Sequence, residues 1–366
     1  MKRILLVLGT RPEAIKMCPL VKVLREMPEI RVSVCVTGQH RELLDGVLSA
    51  FNVTPDHDLS VMKPAQTLSH VTAAVLNGMS EIIDRERPDT VLVHGDTTSA
   101  YAAAIACFYK GIDVCHVEAG LRTHRISSPF PEEFNRVSID LISRLCFAPT
   151  EAARANLISE GKDGGSVFVT GNTAIDALRT TVSDKHRLAI SEWVGGNRLI
   201  VVTAHRRENI GKPMENVLRA VKRAVEEQDG IRAILPLHPS PSVRATAQSV
   251  LSDSPCIRII DPMDVVDFHN LLARAYLIVT DSGGIQEEAS YLQKPVLVTR
   301  DTTERPEGVS AGSLRLVGTD EERVYESIKL LLNDHSVYDS MRKSPNPFGD
   351  GHASERIAEI LTNTDF

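Results

Sequence analysis

Apolar and polar positions along the chain follow a rhythm of two lengths. Short β-rich apolar runs recur, and between them lie longer stretches whose apolar residues repeat at helical spacing. In the first half the strand candidates are Ile4–Leu8, Val32–Thr37, Thr90–His94, Val114–Glu118, Leu145–Ala148 and Val167–Thr170. The second half repeats the rhythm with Leu199–Thr203, Arg232–Leu237, Ile257–Ile260, Leu277–Thr280, Val296–Thr299 and Leu314–Val317. Helix-like stretches such as Glu215–Gln228 and Glu321–Leu332 separate them. Such alternation predicts an α/β fold of two Rossmann-like domains, each a parallel sheet covered by helices on both faces. The junction is expected near Gly171–Asn172, giving domains 1–171 and 172–350. Asp184–Asn197 reads as an early helix of the second domain, and Gly351–Leu361 as a helix that follows the second sheet.

A length of 366 residues suits two domains of ordinary size. The formal net charge of −7 argues against a nucleic-acid partner, so an anionic ligand must be held by local cations and helix N-termini. No apolar run reaches the roughly 18 residues of a membrane span. The apolar run Ile4–Leu8 is too short for a signal peptide and enters a Gly9-Thr10 turn, as a buried first strand would. The six cysteines (Cys18, Cys35, Cys107, Cys115, Cys146, Cys256) contain no CxxC pair and fit free thiols in a reducing cytoplasm.

In open α/β sheets, ligands bind beyond the carboxyl ends of the strands, and each chemically loaded cluster falls there. After the first strand, Thr10 and Glu13 have capping-box spacing with Pro12 in the first turn, while Arg11 and Lys16 add cations where a helix dipole favours phosphate. After Leu277–Thr280 comes Asp281-Ser282-Gly283-Gly284, a tight turn or an oxyanion cradle, with Glu288 placed to chelate ribose hydroxyls. Three carboxylates follow strand ends or open a helix in the first domain: Asp96, Glu118 and Glu132. Asp96 is alternatively the N-cap of a helix Ser99–Tyr109, and Glu132 and Glu133 are alternatively first-turn acids. Convergent carboxylates suit acid–base chemistry. His205 follows Leu199–Val202 among Arg206, Arg207 and Glu208, where charges cap a helix or face an anion. His238 follows another strand and is equally a turn histidine. No HxxH or HExxH spacing occurs, so no catalytic metal is assigned.

Taken in order, GTRPEAIKM, TGQHRELLD, VHGDTTSA, HVEAGLRT, PFPEEFNR, TGNTAIDAL, TAHRREN, TDSGGIQEEAS and RDTTERPEG resemble the non-hydrolysing UDP-N-acetylglucosamine 2-epimerases across nearly the whole chain. The resemblance implies a GT-B arrangement with the active site in the interdomain cleft, and a C-terminal helix (351–366) packing back on the first domain. It places catalytic roles on Asp96, Glu118, Glu132 and His205, and UDP contacts on Arg11, Lys16, Phe268, Ser282, Gly283, Gly284, Glu288 and Arg305. Met263 stands where the family often has a uracil-lining glutamine. Gln39, His40 and His238 match a regulatory substrate site, although Glu42 and Ala65 depart from the residues some members carry there. The implied reaction interconverts UDP-N-acetylglucosamine and UDP-N-acetylmannosamine by anti elimination of UDP to 2-acetamidoglucal and re-addition, with no cofactor. A homodimer serving cell-wall or capsular polysaccharide synthesis is implied too. The rival readings are a hydrolysing 2-epimerase, a GT-B glycosyltransferase and a non-catalytic nucleotide-sugar sensor.

Overall fold

The structure, a computed structural model, describes residues 1–38, 41–62, 66–204, 206, 209–237 and 240–366, with 41–43 described by backbone alone. The chain divides into two compact units, Met1–Thr180 with Gly349–Phe366, and Thr181–Phe348. The division falls after the helix Thr173–Thr181 begins to end, and not at the Gly171–Asn172 turn. That helix is held in the first unit because the buried Asp176 carboxylate accepts the N–H groups of Ala353 (3.2 Å) and Ser354 (2.6 Å) at the start of the helix Ala353–Asn363. The same C-terminal helix lies against the helix Arg11–Arg25, and Lys2 Nζ reaches the Leu361 carbonyl at 3.1 Å.

In the first unit the strands are β1 (Lys2–Leu8), β2 (Ile30–Val36), β3 (His57–Asp58), β4 (Thr90–His94), β5 (Asp113–Val117), β6 (Leu145–Ala148) and β7 (Val167–Val169). All pair in parallel, in the order β3-β2-β1-β4-β5-β6-β7. The second unit pairs β8 (Arg198–Thr203), β9 (Ile231–Pro236), β10 (Ile257–Ile260), β11 (Leu277–Thr280), β12 (Val296–Val298) and β13 (Leu314–Leu316) in the order β10-β9-β8-β11-β12-β13, again all parallel. Parallel strands covered on both faces must be apolar throughout, and Leu5, Leu6, Leu92, Val201 and Ile278 are fully buried. This is why the apolar runs in the sequence locate the strands. β3, at two residues, is too short to leave such a run.

Two expectations are corrected by local hydrogen bonding. Within Asp184–Asn197 only Ser191–Val194 is helical. The carbonyls of His186 and Trp193 are taken by the guanidinium groups of Arg274 and Arg232, which satisfies backbone without a continuous helix. The helix Thr98–Tyr109 is capped by Thr97, whose Oγ1 accepts from Ala100 N at 3.1 Å, so Asp96 is released from capping.

Each sheet reverses its winding direction once, between β1 and β4 in the first and between β8 and β11 in the second. A doubly wound sheet opens a crevice at that point, beyond the strand ends. The residues that leave β1, β4, β5, β8 and β11 are therefore the ones to inspect. Among the described residues no helix is long and apolar enough to cross a membrane. All six cysteines are free thiols.

Candidate active site

In the first unit the chain leaves β1 through Gly9 into the helix Arg11–Arg25. Glu13, only 2% exposed, does half the work of a capping box: its Oε2 accepts Gly9 N–H at 3.1 Å, while Oε1 accepts the Thr97 hydroxyl at 3.0 Å. Burial pushes the Glu13 carboxyl up to about 7, against the lowering effect of hydrogen bonds from Thr10, Thr97 and Gly9. Glu13 thus ties the turn after β1 to the turn after β4.

Glu118 stands one residue beyond β5, at φ +66°, a conformation that L-residues adopt rarely. It lies between Ala119, which is fully buried, and Val117, so its backbone is held by the packing on either side. Its Oε2 receives the Lys16 ammonium and the Asn172 amide, the latter at 2.9 Å. His94, the last residue of β4, brings Nε2 to 3.7 Å from the same oxygen. His94 is 3% exposed, and among the described residues neither ring nitrogen has a hydrogen-bond partner. Burial above all holds its imidazole down at about 3 and therefore neutral; the Glu118 carboxylate pulls the other way and Lys16 adds to the lowering.

Asp96 follows Gly95 in the turn after β4. Its carboxylate receives Arg136, whose Nε lies at 3.0 Å, and its carbonyl accepts the Asn135 amide at 2.8 Å. Arg136 is held from behind by buried Glu133 at 3.0 Å, and Glu133 also accepts the N–H groups of Thr123 (2.8 Å) and His124 (2.9 Å). Glu132, half-buried at the start of the helix Glu132–Ile142, makes no hydrogen bond or ion pair among the described residues. Glu133 is thus tied into the fold through Arg136 and the Thr123–His124 turn. Lys16 meets Glu118 directly. Arg11 is the first residue of its helix and half-buried.

In the second unit Thr203 ends β8 and Thr280 ends β11, and their hydroxyls meet at 2.6 Å. Asp281 is fully buried and accepts Arg206 N at 3.0 Å and Asn209 Nδ2 at 3.3 Å, which fastens the segment after β8 to the turn after β11. Ser282 precedes the helix Gly283–Tyr291, and its hydroxyl does not cap it. The first-turn N–H groups therefore have no side-chain cap, and glycine at the first two positions leaves room for a ligand's close approach. Arg305 stands over this turn: a Cβ on Gly283 would lie 3.3 Å from its Cζ. Its Nε is fixed at 2.7 Å by Glu287. Nearby, burial would raise the Glu304 carboxyl, but Arg300, Arg206 and Arg305 hold it down at about 2. Glu288 has His269 at 3.9 Å, and that buried ring is set by the Thr181 hydroxyl at 2.7 Å. Phe268 and Met263 are partly buried against the unit's core.

His205, Gln39, His40, His238 and Ala65 lie outside the described residues, as does the Glu42 side chain. The residue types missed by spacing alone are the ones that orient others: His94, Asn172, Arg136, Asp281, Glu287 and Glu304. Their only signal was position within the quoted motifs, since a histidine ending a strand and an asparagine in a turn read equally as structure. Among the described residues, no group of three or more His, Cys, Asp or Glu is placed to hold a metal ion.

This geometry can be compared with known proteins. The family model described as UDP-N-acetylglucosamine 2-epimerase matches residues 22–362. The chain is 52% identical over 359 residues to the UDP-N-acetylglucosamine 2-epimerase of Bacillus subtilis (strain 168), covering 98% of this chain and 94% of that protein. Among solved structures it is similar to S. aureus MnaA in a co-structure with UDP, at TM-score 0.93 and 49% identity, over 99% of this chain and 96% of that one. It is also similar to the UDP-GlcNAc 2-epimerase of Neisseria meningitidis bound to UDP-GlcNAc, at TM-score 0.93 and 42% identity, over 99% of this chain and all (100%) of that one. With a family model over nearly its whole length and relatives this similar, the chain belongs to the UDP-N-acetylglucosamine 2-epimerase family.

Proposed function

We propose that the chain interconverts UDP-N-acetylglucosamine and UDP-N-acetylmannosamine without net hydrolysis, as an isomerase. The observation that carries this reading is Glu118: a nearly buried carboxylate on a left-handed turn, with Lys16, Asn172 and His94 gathered on one of its oxygens. Full-length identity to 2-epimerases supplies the substrate.

The C2 proton of the sugar is too weakly acidic to be removed and returned directly. Elimination solves this: a carboxylate takes the C2 proton while the C1–O bond to UDP breaks, leaving 2-acetamidoglucal. UDP then adds back to C1, and an acid delivers a proton to the opposite face of C2. Asp96, Glu118 and Glu132 are the acid–base candidates. The neutral His94 beside Glu118 leaves that carboxylate's charge to be balanced by Lys16. The departing diphosphate needs cations and N–H donors. Arg11 and Lys16 fill that role in the first unit, and Arg305 with the helix start at Ser282–Gly284 in the second.

Product analysis tests the non-hydrolysing assignment. Incubated with UDP-N-acetylglucosamine to constant composition, the protein is expected to give UDP-N-acetylmannosamine with both sugars still linked to UDP. Steady accumulation of free UDP and free N-acetylmannosamine would identify the hydrolysing reaction instead.

A further inference from the structure

Two buried residues of the first unit, His116 and Asp140, take no part in the chemistry above. His116 lies in β5 and is fully buried. Its Nδ1 is 2.6 Å from Asp140 Oδ1, and its Nε2 is 2.7 Å from the Gly95 carbonyl oxygen. A backbone carbonyl can only accept a hydrogen bond. The Asp140 carboxyl, despite its burial, is held below its ordinary range by His116 and Arg122, so it is ionised and accepts as well. Both ring nitrogens therefore face oxygen atoms that hold the ring in place. Asp140 also meets the buried Arg122 guanidinium at 2.8 Å, and Arg122 reaches the exposed Glu160 at 2.7 Å.

The pair holds two turns at once. Gly95, at φ +65°, is fixed by His116 at its carbonyl and by Val117 O at its N–H, 2.9 Å away. Gly120, at φ +86°, donates its N–H to Asp140 Oδ2 at 3.2 Å. Asp96 follows the first of these glycines directly, and Glu118 lies two residues before the second. The two glycines adopt left-handed backbone freely, whereas Glu118, at φ +66° between them, holds it only with support from its surroundings.

We propose that His116, backed by Asp140, is a positioning residue for the epimerase reaction: it locks the Gly95–Asp96 and Glu118–Gly120 turns and so aims the two carboxylates. This role rests on the assignment of Asp96 and Glu118 as acid–base groups. It differs from core packing in what it should disturb. A carboxylate displaced by a fraction of an ångström to an ångström slows the chemical step, while contacts to the nucleotide stay.

The test uses the full chain and four variants, His116→Gln, Asp140→Asn, Asp96→Asn and His116→Gln/Asp96→Asn. For His116→Gln we expect kcat to fall by about 30- to 100-fold, the cost of misplacing a reacting group by about an ångström, with KM and the Kd for UDP within about threefold of wild type. Asp140→Asn should act in the same direction. The double variant should be slower than Asp96→Asn alone by clearly less than the His116→Gln factor, because the part of the effect that passes through Asp96 has nothing left to aim while Glu118 is still displaced. Full multiplication of the two effects, or a His116→Gln enzyme within threefold of wild-type kcat, overturns the proposal. Loss of folded protein in both His116→Gln and Asp140→Asn overturns it in favour of a purely structural role. Asp96→Asn at wild-type speed would instead overturn the acid–base assignment, and the positioning role with it.

Discussion

Replacing Glu118 by glutamine is expected to lower kcat by about a thousandfold, within the range that general acid–base groups contribute. The substitution keeps the side-chain length and can still accept the Asn172 amide, now 2.9 Å from Oε2. The left-handed backbone at φ +66° is no harder for glutamine than for glutamate. What is lost is the ability to take and return a proton, together with the negative charge that balances Lys16. UDP binding should stay measurable, because the helix start at Ser282–Gly284 and Arg305 are not altered. Asp96→Asn is expected to slow turnover as well while leaving UDP binding measurable. Steady-state rates with UDP titration on the same preparations check both statements, and two variants with normal turnover would dismiss the assignment.

The second large effect concerns stability and comes from Glu13. Its ordinary pKa is 4.5 and burial pushes it up to about 7 in the folded protein. Below the ordinary value the group is protonated whether folded or not, and it costs nothing. Between the two values the unfolded chain releases a proton that the folded one retains, so stability falls as pH rises through that window. Above about pH 7 the full penalty, on the order of 2–3 kcal/mol, is in place. Glutamine does not titrate. The stability of Glu13→Gln relative to wild type should therefore improve by about that amount between pH 5 and pH 8. Hydrogen bonds lost to Gly9 and Thr97 are lost at both pH values and cancel from the comparison. Denaturant titrations at the two pH values measure it, and a stability difference independent of pH would show that Glu13 is ionised throughout.

These residues also show what the sequence could reveal. The strands were legible because a parallel sheet buried on both faces leaves apolar runs, and β3, which leaves none, is two residues long. Asp96 and Glu118 stand out in the sequence because they follow apolar runs, and the structure places both just beyond strand ends, where a doubly wound sheet puts its ligands. The helix expected across Asp184–Asn197 was not formed, since arginines from distant segments take its carbonyls, and no local pattern announces that. His94, Asn172 and Arg136 escaped for a related reason. Their importance lies in which carboxylate they face, a property of the folded sheet and not of spacing along the chain. His116 reads in sequence as one polar residue in an apolar strand; its two hydrogen-bond partners are set by the fold.

The central claim is that C2 of a UDP-linked sugar loses its proton and regains one while UDP is conserved. Incubation with UDP-N-acetylglucosamine in deuterated water, followed by NMR of the nucleotide sugars, tests it most directly. Deuterium should appear at C2 of both UDP-N-acetylmannosamine and recovered UDP-N-acetylglucosamine. Products in which C2 keeps its original proton would contradict the account.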